Sequence, residues 1–258
     1  MEAGLNLYSI RNLIGTEDDL IRTAVKLREM GYSYLQYSGA PFEPERIRRA
    51  SEASGLPILL THVPMERILH DTDALMKDHE IFGCRFIGLG AMPAEVLTDD
   101  AAFRATVEAL DNAAARMEQN GFAFFYHHHH FEFTKRNGAT LLDYIRENAP
   151  HVNLTADTYW MQYGGADILA AIEKWKGRVA CVHLKDYRAV AAKDEAGKIK
   201  FKPDFAPVGA GTLDFPAIVA KMRECGARCF FVEQDNAAQC PDPLSEVERS
   251  IRYIREKL

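Results

Sequence analysis

Short apolar runs alternate with amphipathic stretches along the whole chain, a pattern that predicts βα units whose strands are buried on both faces. The runs fall at 4–10, 32–37, 57–63, 85–89, 122–126, 152–156, 179–184 and 229–233, which makes eight predicted strands. Helical spacing fills the intervals. Segment 18–30 places Leu20, Ile21, Ala24, Val25 and Leu27 on one face, and Gly31 follows where a C-cap is expected. Segments 44–53, 101–117, 166–175 and 215–225 repeat the scheme, with Gly55, Gly121, Gly177 and Gly226 just past their ends. Eight such units with right-handed crossovers close most economically into a (β/α)₈ TIM barrel of parallel strands, expected as one catalytic domain over 1–258. An open doubly wound sheet is the competing architecture. Against it, no Gly-x-Gly-x-x-Gly follows the first run. One long insertion, 188–208, mixes charges with Gly197 and two prolines after the seventh strand. It reads as irregular and, on the C-terminal rim of a barrel, as a lid.

Composition narrows the partners. A chain of 258 residues that is 47% hydrophobic is sized for one such barrel. Its formal net charge of −6, without a dense basic run, argues against nucleic acid or a membrane surface as a partner and leaves homo-oligomerisation open. The five cysteines include no Cys-x-x-Cys pair and are expected to be reduced thiols. Residues 1–7 lack the pattern of a signal peptide and no apolar run is long enough to span a bilayer, so the cytoplasm is the expected compartment.

The chemistry sits at the ends of the last four predicted strands. There the chain offers His127 or His129, then Asp157, then His183, then Glu233. In a barrel these positions converge on one mouth. Mixed nitrogen and oxygen donors suit a single divalent ion, Mn²⁺ or Zn²⁺ first, with Co²⁺, Fe²⁺ or Mg²⁺ as further candidates. His127 and His129 share strand parity, so either is a candidate ligand, whereas His128 and His130 are expected to point outward or into supporting hydrogen bonds. Asp157 has a competing role as a helix cap. Gly209, Gly211 and Thr212 suggest either a phosphate cradle or a plain helix start capped by Thr212 or Asp214, and the second is preferred.

These segments resemble a known family. The run from Tyr126 to Phe133, Tyr-His-His-His-His-Phe-Glu-Phe, resembles the YHNHxFEF segment of one branch of the sugar phosphate isomerase/epimerase superfamily, the xylose-isomerase-like barrels. Asp157-Thr158-Tyr159-Trp160, His183-Leu184-Lys185-Asp186, the segment 208–215 and Val232-Glu233-Gln234-Asp235 are similar to its other motifs. The resemblance implies a metal held by Glu, Asp, His and Glu from successive strands. Asp157, His183 and Glu233 match the last three, and His127 stands where the first glutamate belongs. A neutral imidazole there leaves the ligand set one charge less negative and the metal a stronger Lewis acid.

The expected activity is therefore a metal-dependent sugar or keto-sugar isomerase or epimerase. It would abstract a proton beside a carbonyl through a metal-stabilised enediolate, with Glu233, His127 and Lys185 as catalytic candidates. Substrate contacts are expected from His62, His129, Glu132, Trp160 and Lys185: Glu132 by hydroxyl hydrogen bonds, Trp160 by stacking on a C–H face. The alternative is β-elimination, as in dehydratases and keto-glycoside lyases of the same fold. More remote readings are an endonuclease IV-like DNA repair enzyme, for which Trp160 occupies the place of a wanted histidine, and a non-catalytic ligand-binding barrel.

Overall fold

Eight short parallel strands close on themselves in the computed structural model, which describes residues 1–258. They are β1 (Gly4–Asn6), β2 (Tyr34–Tyr37), β3 (Ile58–His62), β4 (Phe86–Leu89), β5 (Ala123–His127), β6 (Asn153–Asp157), β7 (Cys181–Leu184) and β8 (Cys229–Val232). Each pairs with its neighbour in chain order, and β1 completes the ring against β8 through Gly4 with Phe231 and Leu5 with Val232. The chain is a (β/α)₈ TIM barrel. Its principal outer helices are α1 (Glu17–Met30), α2 (Pro44–Ser54), α3 (Thr72–Ile81), α4 (Asp100–Gln119), α5 (Leu141–Asn148), α6 (Ile168–Lys174), α7 (Phe215–Glu224) and α8 (Pro243–Lys257). No helix is long and apolar enough to cross a membrane.

Local chemistry sets the boundaries. Thr16 caps α1 by accepting from the Asp19 N–H, and Gly31 ends it in the left-handed region at φ 102°. Packing is continuous: sixty buried apolar residues form one cluster between helices and barrel. A smaller one, including Tyr34, Leu60, Phe125 and Phe231, forms a second apolar cluster.

Two expectations are corrected. The first apolar run is not a strand through residue 10. The Asn6 side chain accepts from the Tyr8 N–H and turns the chain into a 3₁₀ segment, Leu7–Leu13, whose Leu7 and Ile10 stay buried. An apolar run alone does not separate these conformations. The insertion after β7 is also regular: Asp186–Lys193 pairs antiparallel with Ile199–Ala206 as a hairpin arm standing apart from the barrel sheet. Ile199 and Phe201 on its distal half are 61% and 75% exposed. The arm's base is held by Asp186, whose buried carboxylate accepts from the backbone N–H groups of Tyr187, Gly209, Gly211, Thr212 and Leu213. The glycine loop thus cradles the chain's own carboxylate. A Cβ at Gly211 would collide with that carboxylate. The helix that follows, α7, is capped by Asp214, which accepts from the Ala217 N–H.

Candidate active site

His127, Asp157 and His183 end or nearly end β5, β6 and β7, and Glu233 follows β8 by one residue. Register aligns them: Asp157 lies opposite His183 on adjacent strands. One donor atom from each of the four falls within 4.8 Å of the others, and all four residues are buried. Two donors bonded to one ion at about 2.1 Å lie at most roughly 4.2 Å apart, so a small contraction would bring this set around a single cation.

The imidazoles are oriented for that task. His127 Nδ1–H donates to the Gly90 carbonyl at 2.9 Å, which leaves Nε2 as a lone pair facing Asp157 Oδ2 at 3.3 Å. His183 Nε2–H donates to Gln36 Oε1 at 2.7 Å and leaves Nδ1 toward the cluster. Nδ1 of His183 and Oε2 of Glu233 approach to 2.6 Å, yet neither makes an aligned hydrogen bond to any group. Two buried polar atoms left facing one point, beside histidines whose other nitrogen is committed, are what a metal-binding set requires. Glu233 Oε1 accepts from Asn6 Nδ2 at 3.0 Å, which fixes the carboxylate. Asp157 also caps the short helix Thr158–Tyr163 through the Trp160 N–H, so its capping and clustering roles coexist on different oxygens.

Charge is concentrated here. Lys185 Nζ lies 3.3 Å from both Asp157 Oδ2 and Glu233 Oε2 and 3.0 Å from Asp235 Oδ1. Burial opposes ionisation of Asp157 and Glu233, but Lys185 and the histidines outweigh it and hold both well below the usual carboxylate range. Burial likewise opposes the charged form of His183, yet Glu233 and Asp157 raise it to about 9. Both carboxylates are therefore held ionised.

His62, on β3, faces the cluster with its ring 5.4 Å from that of His127 and 5.6 Å from that of His183, and its buried Nε2 has no partner. His129 lies past the end of β5, so strand parity no longer governs it. Its ring packs edge-on to His127 and it stands outside the four-donor group. His128 is buried and its Nε2 accepts from the Asp157 N–H. Glu132 departs from its expected sugar contact: one oxygen accepts from Tyr126 Oη and the other from the His129 N–H, and the residue has no exposed surface. It orients the histidine run instead. Trp160 covers Lys185, with the ammonium 5.1 Å from the ring centroid.

Sequence reasoning missed Asn6, Gln36, Asp235 and the Gly90 carbonyl. Gln36 carried a usable signal, a polar side chain within an otherwise apolar β2. A backbone carbonyl carries none.

Comparison with known proteins agrees with this architecture. An inosose dehydratase of Clostridium perfringens is 30% identical over 124 residues, 45% of this chain and 41% of that protein, so the chain covers less than half the length of the curated relatives it matches. A sugar phosphate isomerase/epimerase from Parabacteroides distasonis superposes with TM-score 0.80 at 18% identity, covering 99% of this chain and 94% of that one. The 3-keto-D-glucoside 4-epimerase of E. coli superposes with TM-score 0.65 at 18% identity, covering 99% of each chain. The profile of one family, the Xylose isomerase-like TIM barrel, matches residues 25–257, and with the barrel closed as that description requires, the chain belongs to this family.

Proposed function

We propose that this chain, acting as one catalytic unit over 1–258, is a divalent-metal-dependent isomerase or epimerase of a sugar or keto-sugar that moves a proton at the carbon beside a carbonyl. The observation carrying this reading is the convergence of His127, Asp157, His183 and Glu233 with both imidazole tautomers fixed from behind. A bound Mn²⁺ or Zn²⁺ would polarise the carbonyl and offset the charge that develops on its oxygen. Glu233, its carboxylate fixed at Oε1 by Asn6, is the candidate to move the proton. Lys185 presents its ammonium to the oxygen that gains negative charge. His62 Nε2 and Trp160 Nε1, buried without partners, are available to substrate hydroxyls. The low-dielectric surroundings strengthen each of these interactions.

One observation favours β-elimination as a second reading. An imidazole at position 127 leaves Glu233 as the one carboxylate at the cluster besides Asp157, whereas epimerisation returns the proton on the opposite face and calls for a second acid. Elimination returns no proton to that carbon, so Glu233 alone serves there. The match to inosose dehydratases is in keeping with it.

Incubating the Mn²⁺-loaded protein with ketoses and keto-glycosides in D₂O separates the two. Deuterium in recovered sugar or its epimer supports the first reading, and an unsaturated product or released aglycone supports the second. Absence of both exchange and turnover across the series would reject proton transfer at this site.

A further inference from the structure

We propose that an aromatic shelf leading out of the site binds a second ring carried by the substrate, which makes the substrate a glycoside rather than a free or phosphorylated monosaccharide. This deepens the sugar-enzyme reading of the same site and rests on it.

The shelf begins over the cluster. Trp160 and Phe205, the latter from the base of the hairpin arm, lie 5.1 and 5.6 Å from the Lys185 ammonium. His130 stacks on Trp160 with centroids 5.2 Å apart and planes at 29°. Tyr163 meets His130 edge-on at 5.0 Å and lies nearly parallel to Tyr159 at 5.4 Å. Tyr159 in turn packs against Phe205 at 4.7 Å. Exposure rises from 5% at Tyr159 to 52% at Tyr163, so the aromatic surface runs from the buried donors to solvent. Along the inner part, Trp160 Nε1 and His129 Nδ1 are buried without hydrogen-bond partners. The half-bare Tyr163 ring at the outer end, with unmet polar edge atoms farther in, complements a ring bearing C–H faces and hydroxyl edges.

The glycine loop offers no cradle to a monosaccharide phosphate. The glycine amides that would cradle a phosphate are occupied by Asp186. No space of that loop is left for an external anion without breaking those bonds.

Calorimetric titration of the Mn²⁺-loaded protein with methyl β-D-glucoside, phenyl β-D-glucoside and cellobiose tests the shelf without requiring turnover. At least one two-ring probe is expected to bind about tenfold more tightly than the methyl glycoside, the change that 1.4 kcal/mol makes in a binding constant. Preference for the phenyl glycoside identifies an aryl ring, and preference for cellobiose a second sugar. Tyr163→Ala should narrow that gap by roughly fivefold and Tyr163→Phe should restore it. Equal binding of all three probes, or a gap untouched by Tyr163→Ala, overturns the proposal. The gap persisting in a protein that exchanges no deuterium with any ketose or keto-glycoside would keep the shelf and reject the reaction.

Discussion

His127 and His183 each have one ring nitrogen spent on an oxygen of the chain, and that commitment defines which nitrogen faces the cluster. Gln36→Leu removes the acceptor behind His183. Metal affinity should fall roughly 10- to 100-fold, the cost usual for such outer partners, as read by competition with a chelator. Glu233→Ala should lower kcat by at least about 10²-fold and reduce metal retained after dialysis; unchanged turnover would remove Glu233 from the mechanism. His127→Ala should lose bound metal while His129→Ala retains it, since only His127 joins the donor group. A different histidine couples stability to pH. His79 is buried, with Nδ1–H donating to the Leu75 carbonyl and Nε2 accepting from Thr61 Oγ1, and burial pushes it down to about 4. Its folded form binds a proton less readily than its unfolded form, near 6.5. The stability this contributes is therefore complete above about pH 6.5 and drains away as pH falls toward 4, by on the order of 3 kcal/mol. Urea titrations of wild type and His79→Gln should show the gap between them shrinking over that interval; a constant gap would contradict it. The four donors were legible because each closes an apolar run, whereas Asn6 and Gln36 act through neighbours that only folding supplies.

At the scale of elements, the helices announced themselves through their glycine stops, and α1, α2, α4 and α7 begin or end within two residues of the expected positions. The arm did not. Its strands have weak alternation, with Ala189, Val190, Ala191 and Ala192 in succession, and the charged segment between them obscured a good turn. That turn is built by Asp194, which accepts from the N–H groups of Ala196 and Lys198, and by Gly197 at φ 76°. The insertion is a defined rim element because Asp186 ties its base to the loop ahead of α7. Asp186→Ala would take the acceptor from five partly buried N–H groups, at a cost of about 3 kcal/mol. Calorimetry should record a Tm drop of roughly 6 to 12 °C. Hydrogen exchange should rise first in 186–213, and protection unchanged there would refute the role given to this carboxylate.

Over the whole molecule, the barrel and its open face follow from repeated βα units, and the ring depends on every neighbour being present. The site gathers groups from both extremes of the chain, since Asn6 holds Glu233 across 227 positions. Closure of β1 on β8 also brings the ends of the chain together: the Met1 ammonium donates to the Ile254 carbonyl, within α8. The strand order around the ring is therefore cyclic, and the point at which the chain opens it is free to move. A protein in which residue 258 is linked to residue 1 by a few glycines and serines, and the chain is cut at the exposed arm tip near Gly197, should keep its circular dichroism, cooperative melting and metal content. Loss of the cooperative transition would show that the cut, and not the ring, decides the fold. A closed ring has no first or last strand, and the face it presents does not depend on which strand the chain enters first.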